Sequence, residues 1–151
     1  MAALLTALLL LSASAQQQTI TGKVVGVSDG DTITVLDASK KQHKVRRDGI
    51  DAPESNQDYG SRAKQSLSDL VFGKTVTVTS RKKDMYGRVL GKVTLDGKDI
   101  NKEQINRGMA WFNLPYEDEL PANVAVPYKL TYMLARQKKL GLWAGPSPTP
   151  P

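Results

Sequence analysis

The sequence predicts a single α+β domain that is mainly β, built as a small five-stranded barrel with about three helices. The 151 residues suit one domain with one hydrophobic core. Five segments are rich in β-branched residues or alternate apolar and polar residues, as strands do. Three other segments carry apolar residues at helical spacing, and we find no internal repeat.

The first half of the chain predicts a meander of three strands followed by a helix. The predicted strands are residues 19–27, 32–36 and 42–50. Pro53 takes the chain out of the sheet, because the residue before a proline is conformationally restricted and proline cannot donate a ladder hydrogen bond. The helix spans residues 59–71, and Gly73 ends it.

The second half predicts two more strands and two helices. The strands are residues 74–80 and 88–95. Asn101 and Gln104 resemble a capping box, which predicts a short helix that Gly108 closes. The last helix spans residues 123–140, with Pro127 in its first turn. Its apolar stripe is formed by Val126, Leu130, Met133 and Leu134. A five-stranded barrel with a helix between its third and fourth strands is the OB-fold arrangement, which binds nucleic acids or sugars on one face.

Composition limits the chemistry that the chain can perform. The formal net charge is +6, which favours polyanionic partners such as nucleic acid, although positive charge can also serve solubility alone. The chain has no cysteine, so thiolate chemistry, disulfides and cysteine-based zinc sites are excluded. His43 is the single histidine, so mechanisms that need two imidazoles in one chain are excluded.

The two ends of the chain differ from the middle. Residues 1–15 resemble a secretory signal peptide, because an apolar run is followed by the small-x-small pattern Ala13-Ser14-Ala15. A buried N-terminal helix is the alternative. Residues 16–144 form the predicted domain, and residues 145–151 form a Pro-rich tail that we expect to be disordered. We therefore expect a secreted or periplasmic protein, monomeric and free of the membrane in its mature form.

Two carboxylates are placed to meet at one end of the meander. Asp31 starts the second predicted strand and Asp51 ends the third, which runs antiparallel to it. Two carboxylates and a backbone carbonyl make a partial oxygen shell for calcium, which water and a phosphate oxygen can complete. The alternative is that Asp29-Gly30-Asp31 is only a turn.

Three further side chains supply the remaining parts of a phosphodiester-cleaving site. Arg46 lies in the same strand as Asp51, and Arg88 begins a later strand, so both can clamp a phosphate through two parallel hydrogen bonds. Glu54, just after Pro53, can activate a water molecule. Each of the three, taken alone, is also typical of a solvated surface or turn residue.

Together these segments resemble the micrococcal nuclease (thermonuclease) family over residues 19–143. The strongest matches are Asp29-Gly30-Asp31-Thr32, Arg46 with Gly49-Ile50-Asp51-Ala52-Pro53-Glu54, and Asp84 with Tyr86-Gly87-Arg88. Further matches are Gly73-Lys74, Asn101, Gly108-Met109-Ala110 and Gly141-Leu142-Trp143.

The resemblance implies an OB-fold enzyme that cleaves DNA and RNA with Ca²⁺ and leaves 3′-phosphate ends. It implies that Asp31, Asp51 and the carbonyl of Ala52 bind the calcium ion and that Asp29 supports them. Arg46 and Arg88 correspond to the phosphate-binding arginines and Glu54 to the general base. Tyr86 corresponds to a residue that flanks the bound nucleotide.

The chain departs from the family pattern at three places, one of which is Met85, where some relatives carry a positive charge. Arg47-Asp48 stands where members commonly carry apolar or small residues. Strand alternation places Arg47 on the same face as Val45 and Arg46 on the opposite face, so Arg47 is predicted to point into the barrel. Burial of a guanidinium without partners is costly, so replacing Arg47 by leucine is expected to stabilise the protein.

A tyrosine often follows the Gly-Met-Ala stretch, but here Asn113 stands there and Tyr116 is the nearest substitute.

Two other functions remain compatible with the sequence. The first is a noncatalytic OB-fold module that binds nucleic acid, since some barrels of this kind lose the chemistry. The second is a calcium-dependent binder of acidic polysaccharide, which would use the same basic face without needing Glu54.

Overall fold

The computed structural model describes residues 16–146 and 148–151. The predicted signal peptide at residues 1–15 lies outside the described residues. The strands are β1 (Gln18–Asp29), β2 (Thr32–Asp37), β3 (Gln42–Arg47), β4 (Ile50–Asp51), β5 (Thr75–Lys83), β6 (Val89–Leu95), β7 (Lys98–Asp99) and β8 (Trp111–Phe112). The α-helices are α1 (Gly60–Val71), α2 (Ile100–Asn106) and α3 (Ala122–Gln137), and two 3-10 helices span Leu114–Glu119 and Gly141–Ala144. Within the described residues, no helix combines the length and the apolar character needed to cross a membrane.

Five strands close into a barrel. The strand order is β3-β2-β1-β5-β6, and a parallel pairing of β3 with β6 joins the two edges. The long strand β1 makes this possible, because it pairs with β2 over one part of its length and with β5 over the other. The predicted α+β class, with a five-stranded OB-fold barrel and α1 between the third and fourth barrel strands, is confirmed.

The hydrophobic core has two parts. The first fills the barrel under α1, and its aliphatic side chains come from alternate strand positions such as Ile33, Val35 and Val45. The second lies between α1, β8 and α3 and is more aromatic, with Trp111, Phe112 and Tyr128. Burying each of these side chains contributes about 1.5–3 kcal/mol, and the second part holds α3 against β8.

The third predicted strand is interrupted. Strand β3 ends at Arg47, and β4 then pairs with β8 rather than with the barrel. The interruption is at Gly49, whose φ of 76° turns the chain in a way that other residues rarely adopt. Asp51 therefore belongs to β4 and not to the end of the third barrel strand, contrary to the sequence-based prediction.

The predicted capping box of the short helix is wrong. Helix α2 begins at Ile100, and its N-cap is Asp99, whose carboxylate accepts a hydrogen bond from the Lys102 N–H at 3.0 Å. Asn101 and Gln104 are both fully buried. Their amides are used inside the domain, because the barrel presents buried carbonyl groups that need donors.

The apolar stripe predicted for the last helix does not pack on the domain. Val126, Leu130, Met133 and Leu134 are 52–58% exposed, whereas Tyr128, Tyr132 and Ala135 form the buried face of α3. The aromatic face of α3 is buried because its rings pack edge to face against other rings. Tyr128 packs in this way on Phe112, and Tyr132 packs on Trp143. Pro127 lies inside α3 rather than in its first turn.

Candidate active site

The turn between β1 and β2 positions Asp31. The Asp31 N–H donates to Asp29 Oδ1 at 3.0 Å, and Asp31 Oδ2 accepts from the Ala52 N–H at 2.8 Å. Gly30 permits this close packing, since a Cβ there would lie 2.6 Å from the Ala52 Cβ and 2.7 Å from the Ala63 Cβ. The glycine thus brings Asp31 against the segment that carries Ala52, while Asp29 holds the turn.

Arg46 joins the two carboxylates. Its Nη1 donates to the carbonyls of Arg47 at 2.8 Å and Ile50 at 2.7 Å, which fixes the guanidinium. Its Nη2 contacts Asp51 Oδ1 and lies 3.4 Å from Asp31 Oδ2. The structure therefore brings Asp31, Asp51 and Arg46 together, although Asp51 reaches this place through β4 rather than along β3.

The Asp31 carboxylate carries a charge that its surroundings only partly balance. Burial raises the pKa of Asp31 to about 7, although Arg46 acts in the opposite direction. Asp29 adds to the rise through its hydrogen bond and its negative charge. A buried carboxylate with this pKa favours an additional positive charge beside it.

The donor set at this place fits a hard cation. Asp31 and Asp51 offer carboxylate oxygen atoms, which are the ligands that calcium prefers, and the backbone of Ala52, which could add its carbonyl oxygen, lies beside Asp31. Across residues 16–146 and 148–151, no cluster of three or more Asp, Glu, His or Cys side chains is placed to hold a metal ion. A cation here would therefore take two carboxylates, a carbonyl and non-protein ligands.

A cavity of about 470 Å³ lies beside Arg46. It is lined by Arg46 and Arg88, by the exposed rings of Tyr86 and Tyr116, and by Asp48 and Asn113. Arg88 donates from Nε to Asp84 Oδ2 at 2.6 Å, and its guanidinium lies 5.5 Å from the centre of the Tyr86 ring. The predicted phosphate-binding and nucleotide-contacting side chains thus share one cavity, with Tyr116 present beside Asn113.

Glu54 lies apart from these groups. Among the described residues, its carboxylate forms no hydrogen bond or ion pair, and it does not line the cavity. Its backbone is fixed, because the Glu54 N–H donates to Gln57 Oε1 at 2.8 Å and its carbonyl accepts from the Gln57 N–H at 2.9 Å. A Cβ on Gly60 would lie 2.1 Å from the Glu54 carbonyl oxygen. The sequence alone did not identify Gln57 and Gly60 as residues that constrain the backbone of Glu54. The signal that could have indicated Gly60 is a glycine at the start of a predicted helix.

A cluster of buried polar side chains donates hydrogen bonds to the turn between β1 and β2. Arg47 is fully buried, and its guanidinium donates to Asn101 Oδ1 at 3.1 Å, to the Gly30 carbonyl at 3.3 Å and to the Ile100 carbonyl. Gln104 Nε2 donates to the same Gly30 carbonyl at 3.2 Å. The predicted alternation is confirmed, with Val45 and Arg47 inside the barrel and Arg46 facing the carboxylates. Burial lowers the pKa of Arg47 to about 10, so the guanidinium stays protonated at neutral pH.

Known proteins are similar in sequence to this chain over most of its length. The model of the staphylococcal nuclease homologue family matches residues 44–145, which is more than half of the chain. An uncharacterized endonuclease of Escherichia coli is 44% identical over 87% of this chain and 82% of its own length. An uncharacterized endonuclease of Haemophilus influenzae is 41% identical, over 98% of this chain and 82% of its own length. A micrococcal nuclease of Shigella flexneri is 40% identical, over 86% of this chain and 77% of its own length.

Proposed function

This chain belongs to the staphylococcal nuclease family and is an endonuclease acting on nucleic acid, and we propose that it is an exported, calcium-dependent enzyme that cleaves both DNA and RNA. The observation that carries the proposal is the position of Arg46. Its guanidinium contacts Asp51, lies 3.4 Å from Asp31 and lines the cavity that also holds Arg88. One side chain would thereby connect the proposed cation site with the proposed phosphate site.

Asp31, Asp51 and the carbonyl of Ala52 would hold the calcium ion. When bound, calcium would supply positive charge to a phosphate oxygen of the substrate. The support for this assignment is the all-oxygen donor set and the incompletely balanced charge of the buried Asp31 carboxylate. Asp29 acts through Asp31, since its Oδ1 accepts the Asp31 N–H at 3.0 Å.

The other side chains have distinct proposed roles. Arg46 and Arg88 bind the phosphate and stabilise the negative charge that develops during in-line attack. Glu54 orients and deprotonates the attacking water molecule. Its free carboxylate and fixed backbone suit a group that meets only substrate and water. Tyr86 and Tyr116, which are 77% and 58% exposed, offer ring faces for nucleotide bases. The 5′ oxygen leaves, which yields 3′-phosphate ends.

The export proposal rests on the signal-like pattern of residues 1–15. Mass spectrometry of protein recovered outside the cytoplasm checks the export proposal. Protein that is found only in the cytoplasm and still carries residues 1–15 would contradict it.

Cleavage is expected to depend on calcium. Purified protein incubated with single-stranded DNA, duplex DNA or RNA should degrade all three in calcium and none in a chelator, as followed by gel electrophoresis. Magnesium is expected to support cleavage poorly, because two carboxylates and a carbonyl suit the loose coordination of calcium better than strict octahedral geometry. Intact substrates in calcium, or equal degradation with chelator present, would overturn the proposed function.

Substitution of Gly60 by alanine is expected to lower turnover by at least about tenfold while the protein stays folded. The added Cβ would lie 2.1 Å from the Glu54 carbonyl oxygen and 3.0 Å from the Ser55 Cα, so the backbone that carries Glu54 must shift. The matched control is Gly26→Ala, where the new Cβ meets only Thr34 atoms at 3.5 Å. Steady-state cleavage and thermal melting of both variants check this, and equal activity of the two would refute the role of Gly60.

A further inference from the structure

Asp48 places a half-buried carboxylate in the wall between two cavities. One is the cavity of about 470 Å³ that holds the site arginines, and the other, of about 400 Å³, continues past Lys82 and Glu119 towards α3. The charged side chains that act on Asp48 are Arg46, Lys82 and Glu119. Within the part of the chain that the structure describes, the Asp48 carboxylate forms no ion pair, because Lys82 contacts Glu119 instead.

The position of this carboxylate is fixed by its backbone. The Asp48 N–H donates to the Gly91 carbonyl at 2.9 Å, and the Asp48 carbonyl accepts from Asn101 Nδ2 at 3.1 Å. Asn101 is itself fully buried and bonded to Arg47. A carboxylate held on a rigid backbone, without a cation of its own, is prepared to accept hydrogen bonds from a ligand that enters the cavity.

The chemistry of the cavity indicates which part of a nucleic acid meets Asp48. A phosphate would be repelled by the carboxylate and attracted by Arg46 and Arg88. The bases carry hydrogen-bond donors on their edges, and the exposed rings of Tyr86 and Tyr116 in the same cavity offer faces on which an unstacked base can lie. Asp48 therefore faces a base edge when the phosphate is held by the arginines.

Among the bases, guanine matches a carboxylate best. Its N1–H and N2–H₂ groups lie side by side and can donate to both carboxylate oxygens at once. Adenine and cytosine each present one amino group next to a ring nitrogen that repels a carboxylate. Thymine and uracil present one N–H flanked by two carbonyl oxygens, which is the poorest match.

We propose that Asp48 reads the base next to the cleaved bond and selects guanine there. This inference rests on the proposed nuclease function, since it assumes that Arg46 and Arg88 hold a phosphate. Arg47-Asp48, which departs from the family pattern, then has two tasks: Arg47 supports the barrel interior and Asp48 sets the base preference.

The test is the sequence of the cut ends. A library of single-stranded DNA with random sequence is digested briefly in calcium, and the ends are sequenced. Guanine should be enriched about tenfold at one fixed position beside the cut. Asp48→Asn and Asp48→Leu should abolish the enrichment. Asp69→Asn, a carboxylate-to-amide change at an exposed position of α1 away from this cavity, should retain it.

A second measurement needs no variant and no cleavage. Titration calorimetry should show that a deoxyguanosine–thymidine dinucleotide binds several-fold more tightly than the deoxyinosine–thymidine dinucleotide, since inosine lacks the N2 amino group. No guanine enrichment, or equal binding of the two dinucleotides, overturns the proposal. A change confined to the ratio of RNA to DNA cleavage in Asp48→Asn also overturns it, because the carboxylate would then contact the ribose. Absence of any cleavage by the unaltered protein is a failure of the nuclease proposal instead, and the dinucleotide titration still decides the role of Asp48.

Discussion

Glu54→Gln is expected to lower the turnover of the enzyme by about 10²–10⁴-fold. The amide has the same shape as the carboxylate but cannot accept a proton from water. The backbone contacts that fix residue 54 do not involve the side chain, so the fold is expected to remain intact. Binding of a nucleotide inhibitor should change much less than turnover, because phosphate contacts are assigned to Arg46 and Arg88.

Single-turnover cleavage and inhibitor titration separate these two effects. The matched control is Asp69→Asn, a carboxylate-to-amide change at an exposed position of α1, where the carboxylate accepts a hydrogen bond from Gln65. Arg88→Lys completes the set, since it keeps the charge but loses the planar fork that binds phosphate through two hydrogen bonds. Near-normal rates in both Glu54→Gln and Arg88→Lys would show that the assigned roles are wrong even in an active nuclease.

Arg47→Leu is expected to destabilise the protein by about 3–5 kcal/mol, since it removes the donor of several buried hydrogen bonds and replaces a large buried side chain by a smaller one. The guanidinium donates to the carbonyls of Gly30 and Ile100 and to the Asn101 side chain. Leucine would leave these three buried acceptors with fewer donors and would fill less of the space. The sequence alone suggested the opposite sign, because alternation shows that Arg47 is buried but does not show what it meets.

Denaturant unfolding in the presence of a chelator measures this change without a contribution from bound cation. The matched control is Arg62→Leu on the exposed face of α1, where the guanidinium only stacks on Tyr59 and the expected change is within about 0.5 kcal/mol. If the unfolding free energy of Arg47→Leu is unchanged or increased, the hydrogen bonds of Arg47 stabilise the protein by less than the burial of its guanidinium destabilises it.

Local pattern was sufficient for the five barrel strands and for the three α-helices. Alternation along β1, β2 and β3 identified barrel strands, because one face of each strand is buried and side chains repeat every two residues. The same alternation assigned Arg46 and Arg47 to opposite faces correctly. The motif at residues 29–32 and 46–54 indicated which side chains meet, and Asp31, Arg46 and Asp51 do meet.

Three features depended on contacts between distant parts of the chain. Asn101 has the residue type of a helix cap, but the buried carbonyls of Asp48 and Gly91 compete for its amide and Asp99 caps α2 instead. Asp51 reaches Arg46 because β4 pairs with β8, a strand some sixty residues later in the chain. The buried face of α3 is aromatic rather than aliphatic, because Tyr128 and Tyr132 find ring partners that the helix sequence does not contain.

The sequence by itself therefore determined the barrel and its family and predicted the site side chains, since these follow from periodicity and from motifs that are short in sequence. Only the tertiary structure decided how Arg47 is satisfied, how Gly60 holds Glu54 and which cavities Asp48 faces. These three features depend on which side chains and backbone groups from distant parts of the chain meet in the fold. A buried polar group without a hydrogen-bond partner destabilises the protein by several kcal/mol, whereas one with a partner costs almost nothing.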